Sequence, residues 1–504
     1  MVDVRPHAPQ FVSALDEDRA LRASVERLLR ADYEVSAVMQ STLASDWPGD
    51  LAGRLLLSLA RYARAGMPTL ERATLLNEAM LEALTPRGYL GPEVGEILDE
   101  QQVACHGWVA AGLLQFFHVT GDDRSRRAAL RVIDTLIAPA LRRRDYPWER
   151  VIPAFGGAPS GTATEVIDGW AVSSDVWCVL LSLNALVPAA LHGGRSDLGA
   201  LIVELTQTVS TLDVVAHKAQ LHAVLAAARN LADWAVGTGD EQSGQTAMAL
   251  YDTYAREART LNHATFNWFG RPDSWTEPCA IVDSVGVAGS LHALTGDERY
   301  RTDIARIAHN GLAFAERLDG SFGLDTIATP SDPVLRAIEP DAHWCCTIRG
   351  AIGLLECRET AAVWNGDALV VRDLYSGTHR ARTEAGGWGI RQITRFPREA
   401  TVAFTVVDAP ETAADFVVEV VMEGVTRTVS LPARVGATQT VDLAFPLRRE
   451  QVEGVEVERM GPVLRVRDLD VPEAPPRLLS EFTGTFPGAD GPRLDLASDA
   501  ERRR

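Results

Sequence analysis

Several things are scarce in this sequence, and each scarcity excludes something. No apolar run is long enough to cross a bilayer. The most hydrophobic stretch, Val176 to Leu191, is interrupted by Ser182, Asn184 and Pro188, and stops short of the ~20 residues a membrane helix needs. Basic charge is in deficit: 49 Lys and Arg face 68 Asp and Glu, a formal net charge of −19. No local basic patch offsets that field, so nucleic acid is not an expected partner. The first residues, Met1-Val2-Asp3-Val4-Arg5-Pro6, carry neither an apolar segment nor a small-residue cleavage pattern, which argues against export. Cysteine is rare, six in 504 residues. The reading is a cytoplasmic protein with reduced thiols, away from any membrane. A chain of this length suits two or three structural units.

From about residue 15 to residue 360 the hydrophobic period is helical. In Pro48 to Tyr62 the residues Leu51, Leu55, Leu59 and Tyr62 recur every three or four positions, the stripe of a helix with one buried face. Gly66-Met67-Pro68 breaks it. A turn then repeats: Thr120-Gly121-Asp122, Thr238-Gly239-Asp240 and Thr295-Gly296-Asp297 each close an apolar helix and open one richer in charge. Glycine suits the left-handed residue after a helix end, and aspartate caps the next helix. The intervals are 118 and 57 residues, so the unit is a hairpin of about 57 residues, repeated five or six times in a ring. Inner helices are expected to start near residues 50, 105, 176, 217, 280 and 346. Cys105, His217, Cys279, Cys345 and Cys346 then fall at one mouth of the ring and the Thr-Gly-Asp turns at the other.

After about residue 360 the period becomes alternating. Val363 to Val370 contains Asn365-Gly366 and reads as a hairpin. Thr401–Val407, Phe416–Met422, Thr426–Leu431, Thr438–Phe445 and Val463–Val466 are strand-like. The fold class is therefore α+β: an (α/α)6 barrel of helical hairpins over 1–360, an antiparallel β-sandwich over 361–470, and a strap or tail over 471–504. The sandwich offers a surface for a homodimer.

Chemistry concentrates in Glu277-Pro278-Cys279 and His343-Trp344-Cys345-Cys346, both just ahead of helical patterns. One carboxylate and three thiols suit a soft metal such as Zn²⁺. The cysteine pair by itself is equally read as apolar filler. Neighbouring hairpins would set the two segments side by side, where helix N-termini favour thiolate. Cys178 and Cys357 lie inside apolar helical patterns and read as filler. Gly156-Gly157-Ala158-Pro159-Ser160-Gly161 lacks the placement of a phosphate cradle and reads as a flexible rim segment before Asp168-Gly169-Trp170.

Taken together, Glu277 to Ala280, Thr295 to Tyr300, Asn310-Gly311 and Cys345-Cys346 resemble glycoside hydrolase family 127, the retaining β-L-arabinofuranosidases. Gly88-Tyr89-Leu90 and Cys105 to Gly121 add to the likeness. The resemblance implies a zinc held by Glu277, Cys279, Cys345 and Cys346, with Cys345 as the nucleophile that forms a glycosyl thioether. It implies a small carbohydrate as substrate, an oligosaccharide or glycoconjugate. It also implies sugar contacts by His217. Trp275, Trp344 and His263 are further candidates for the sugar, as are Trp108 and Trp170. One departure stands out. Where the family carries its acid/base glutamate, Leu261 to Trp268 contains no carboxylate. Asp273 is the nearest substitute, followed by His263, Asp168 and Glu165. That gap keeps two alternatives open: a lyase or epimerase on the same barrel, and a carbohydrate-binding protein with a structural metal.

Overall fold

The computed structural model describes residues 11–14, 18–150, 160–366, 368–383, 386–411, 415–482 and 493–497. Residues 1–6, most of the glycine-rich stretch 156–161, Asp367 of the hairpin and much of the tail lie outside the described residues. Twelve of the fifteen α-helices among the described residues form the ring of the first part: α1 (Arg19–Leu28), α2 (Asp50–Arg64), α3 (Leu70–Ala83), α4 (Glu100–Thr120), α5 (Asp123–Val132), α6 (Leu183–Leu191), α7 (Gly199–Val209), α8 (Leu221–Thr238), α9 (Glu241–Glu257), α10 (Pro278–Thr295), α11 (Arg299–Arg306) and α12 (Cys346–Glu359).

The even-numbered helices pack side by side in chain order, and α12 returns against α2 to close the ring. Each odd-numbered helix lies outside one of them, α1 backing α12. The inner helices are apolar on nearly every side: α4 buries Val103 to Leu114 without interruption and α10 buries Pro278 to Val285. A helix buried all round belongs inside a helical layer. The outer helices α5 and α11 carry one buried stripe and a charged face.

The repeated turn behaves as its chemistry dictates. Gly121, Gly239 and Gly296 end α4, α8 and α10 in the left-handed region with φ of 75°, 77° and 71°. Asp122 and Asp240 then accept from the amides of Arg124 and Ser243 at the start of the next helix. Three expected starts need correction. The second inner helix begins at Glu100, which places Cys105 inside it, the third begins at Leu183 after a 3-10 turn over Cys178–Ser182, and the fourth begins at Leu221, one turn beyond His217.

The strands form two facing sheets. One orders Phe11–Ala14, Gly377–Thr383, Gly386–Thr394, Thr401–Asp408 and Thr438–Asp442, and the other orders Val425–Leu431, Phe416–Met422, Ala368–Val371 and Ala362–Trp364. Trp388, Ile390, Phe404 and Val406 from the first sheet share a core with Leu369, Val371, Val418 and Val420 from the second. The strands are not all antiparallel as expected, because Ala368–Val371 runs parallel to Phe416–Met422. A further sheet contains Val455–Met460, Val463–Asp468, Leu494–Asp495 and Val334–Leu335. It is tied to the helical part by Asn310, which donates to the Pro462 carbonyl and accepts from the Leu464 amide. Among the described residues no helix is long and apolar enough to cross a membrane.

Candidate metal centre and its cavity

Glu277 stands immediately before α10 in an extended conformation, with Pro278 as the first helical residue and Cys279 behind it. Proline is favoured there because its missing N–H would have no partner. Cys345 stands immediately before α12 and Cys346 opens it. The two helices are neighbours in the ring, and glycine lets them close up. A Cβ on Gly353 would lie 2.4 Å from Val282 Cγ2, and one on Gly350 would lie 2.2 Å from the Phe322 ring. The loop leading into α12 is pinned by Thr347, which receives the Phe322 amide and donates to Asp341. Tyr33 donates to the His343 carbonyl at 2.6 Å.

The outcome is a cluster. One ligand atom each from Glu277, Cys279, Cys345 and Cys346 all lie within 4.8 Å of one another. Cys346 Sγ lies 3.8 Å from Cys279 Sγ and 3.5 Å from Cys345 Sγ. All six cysteines are free. Glu277 is buried, and its Oε2 has no hydrogen-bond partner among the described residues. A buried carboxylate oxygen left alone is costly, so the donor set fits a metal ion. Burial, with the neighbouring Cys345 charge, pushes the Glu277 carboxyl well above its usual range. Hydrogen bonds from the Cys279 and Cys346 thiols hold Cys345 well below the ordinary thiol range, with Arg54 adding to the effect.

The four groups do not face the same way. Glu277 and Cys345 line a cavity of about 430 Å³, and Cys345 alone of the four is partly exposed. That volume suits a small-molecule ligand. Asp50, Arg54, Asp175, Gln220 and His222 form more of its wall, and Trp47 and Trp344 stand at its edge, Trp344 being 57% exposed.

A buried polar network supports the floor. Arg54 donates to Asp50 at 2.8 Å, lies 3.1 Å from His222 Nε2, and reaches Cys279 Sγ at 3.8 Å. His222 Nδ1 lies 2.5 Å from Asp283, which also receives Arg349 at 2.5 Å. Trp108 stacks on His222, with the Arg54 and Arg349 guanidiniums over its ring. A larger cavity of about 930 Å³ opens at the other end of the ring, bordered by Arg61, His118, Asn184, Arg229 and Asp233. It touches none of the four clustered groups.

Of the remaining expected site residues, only Trp344 reaches the smaller cavity. His217 lies against the Arg150 carbonyl and the Trp177 ring. The wall histidine is His222, because α8 starts later than expected. Trp275 packs edge-on against Trp268. His263 is buried with Nε2 3.0 Å from Arg459. Asp273 sits in an exposed pair with Arg271, which pulls its carboxyl below the usual range, the opposite of what a proton donor needs. Asp168 occupies a turn with φ of 48°, and Glu165 is exposed on the strand Ala163–Ile167. Cys178 packs with Trp108 in a separate apolar cluster, and Cys105 is fully buried within α4. Arg54, Asp175 and His222 escaped sequence reasoning. For Arg54 and His222 a polar residue within an apolar inner-helix pattern was the available signal.

No family profile and no curated protein matches the chain. Solved structures do. A glycoside hydrolase superposes with a TM-score of 0.62 at 13% identity, over 88% of this chain and 81% of that one. A family 127 β-arabinofuranosidase superposes with 0.61 at 14% identity, over 90% and 82%. A family 127 β-L-arabinofuranosidase from Geobacillus stearothermophilus T6 gives 0.59 at 15%, over 89% and 84%. At these identities the likeness is one of fold, and it spans most of each molecule.

Proposed function

We propose that the chain is a zinc-dependent retaining glycoside hydrolase acting on a small β-L-arabinofuranoside-like sugar, with Cys345 as nucleophile. The helical ring is then an (α/α)6 barrel over 1–360, followed by a β-sandwich over 361–470 and a strap over 471–504. The strand Phe11–Ala14 crosses from the first unit to the second. A reducing, cytoplasmic setting is consistent with six free thiols.

The observation that carries this reading is the convergence of Glu277, Cys279, Cys345 and Cys346, with only Cys345 partly exposed to a sugar-sized cavity. A tetrahedral shell with metal–sulfur bonds of about 2.3 Å has sulfur–sulfur edges of about 3.8 Å, which supports zinc against the 3.8 and 3.5 Å separations here. Zinc bound by these residues would keep the thiols deprotonated and neutralise the charge gathered among them. Cys279 and Cys346, fully buried, would hold the ion, while Cys345 presents its sulfur to the anomeric carbon. Arg54, His222 and Gln220 offer hydrogen-bonding groups at the wall for sugar hydroxyls. Trp344 offers an exposed ring for stacking. Two of the proteins sharing the fold are β-arabinofuranosidases, which supports an arabinofuranoside as the first substrate to try.

The test is incubation of the zinc-loaded protein with a β-L-arabinofuranose-derived electrophile, followed by peptide mass spectrometry and an assay on 4-nitrophenyl β-L-arabinofuranoside. A sugar-mass label on Cys345, with turnover abolished in Cys345→Ser, supports the reading. A folded, zinc-bearing protein that is neither labelled nor active overturns it in favour of a carbohydrate-binding role.

A further inference from the structure

We propose that Asp175 is the proton donor and acceptor of this cavity, an assignment that rests on the hydrolase reading above. A retaining cleavage needs, besides the nucleophile, a group that protonates the departing oxygen and later activates water. Among the described residues three carboxyls line the cavity: Asp50, Asp175 and Glu277. Glu277 belongs to the cluster of metal-binding groups. Asp50 is ion-paired with the Arg54 guanidinium at 2.8 Å, which opposes the upward push of burial on its carboxyl. Asp175 has neutral partners: the Ser160 hydroxyl donates to its two oxygens at 2.8 and 3.0 Å, and the Gly161 amide also supports it.

The backbone around Asp175 is fixed from both sides. Its amide donates to Ser173 Oγ at 3.1 Å and its carbonyl accepts from the Cys178 amide at 2.9 Å, so the side chain is presented from a rigid bend after the strand Trp170–Ser173. The residue is only 3% exposed. Burial pushes its carboxyl up to about 7, a value suited to giving a proton and taking one back near neutrality. The ionisable groups around it come from every neighbouring element. Glu100 on α4 is paired with Arg150, Cys178 lies on the following turn, Glu277 precedes α10 and Cys345 precedes α12.

The cycle balances with these two residues. The Asp175 carboxylic acid gives its proton to the glycosidic oxygen as the bond from that oxygen to the anomeric carbon breaks. The bonding pair leaves with the oxygen, and the Cys345 thiolate pair forms the carbon–sulfur bond. The Asp175 carboxylate then takes a proton from water as the water oxygen bonds the same carbon. The carbon–sulfur pair returns to Cys345, and the sugar leaves with its configuration retained.

The experiment uses zinc-loaded Asp175→Asn and two substrates, methyl and 4-nitrophenyl β-L-arabinofuranoside. The methyl aglycone needs protonation to depart, and the nitrophenolate needs little. The expected loss is about 10²–10⁴-fold in kcat/KM on the methyl glycoside, with a far smaller loss on the nitrophenyl one. The glycosylated Cys345 should accumulate, and azide should restore turnover with release of the glycosyl azide. Ser160→Ala keeps the carboxyl but removes a hydrogen bond to its charged form, so the alkaline limb of the pH–kcat/KM profile should move to higher pH. Equal losses on both substrates, or a limb that stays in place in Ser160→Ala, overturn the assignment while leaving the hydrolase reading intact. A wild type that cleaves neither glycoside and leaves Cys345 unmodified overturns both.

Discussion

The two ends of the helical ring treat buried carboxyl groups in opposite ways. At the far end Glu356 receives both Arg61 and Arg229. Burial alone would raise its pKa, and the two guanidiniums reverse that and pull it down to about 2. Nearby, Ser290 donates to Asp233 and Asn230 to Asn184. At the mouth, burial pushes the Glu277 carboxyl well above its usual range and that of Asp175 up to about 7. Both groups are equally deep in protein. What separates them is whether the chain supplies the countercharge itself or leaves it to an ion and a substrate.

That contrast is open to attack at several strengths. Glu277→Gln and Cys279→Ser should each lose bound zinc, measured by elemental analysis, together with more than about 10²-fold of activity. Glu356→Gln leaves two arginines facing one another inside the ring. It should cost about 3–5 kcal/mol in urea unfolding, with kcat on the nitrophenyl glycoside unchanged in the protein that folds.

The pH dependence should also split between the ends. Glu356 has a depressed folded pKa, so its contribution to stability is present above pH ~4.5 and is lost as pH falls towards 2. Asp175 has a raised one, so its contribution is present below pH ~4 and is lost as pH rises through 7. Asp175→Asn should therefore remove a decline on the order of 2–4 kcal/mol between pH 4 and 8, read as a flatter urea midpoint against pH than the wild type shows. The smallest effect belongs to Asp273→Asn. Its pair with Arg271 is exposed, so kcat should hold and stability should move by less than about 0.5 kcal/mol.

How far the sequence carried the description follows from the range of the forces involved. The Thr-Gly-Asp turns were legible because a left-handed glycine and a capping aspartate are local demands, met within a few residues. Glu277-x-Cys279 and Cys345-Cys346 were legible because each pair sits at a helix start in adjacent hairpins. His217 misled because a single turn in the start of α8 decides which histidine meets the cavity, and helix boundaries carry that much slack. Asp175 was invisible for another reason. Its burial comes from Ser160, α4 and two helix starts far along the chain, and nothing in Ser174-Asp175-Val176 announces it. Among the strands, Gly377–Thr383 and Gly386–Thr394 went unread because arginines and glycines break the alternation that marks Thr401–Asp408.

The pairing of Phe11 with Ala381 joins positions 370 residues apart in the sequence (381 − 11). Closure of so long a loop carries a conformational penalty and favours late assembly. That edge of the sheet must stay open during synthesis until the residues around 381 have been made. The segment carrying Phe11–Ala14 is therefore a closing latch, and the nascent helical ring must hold its shape without it.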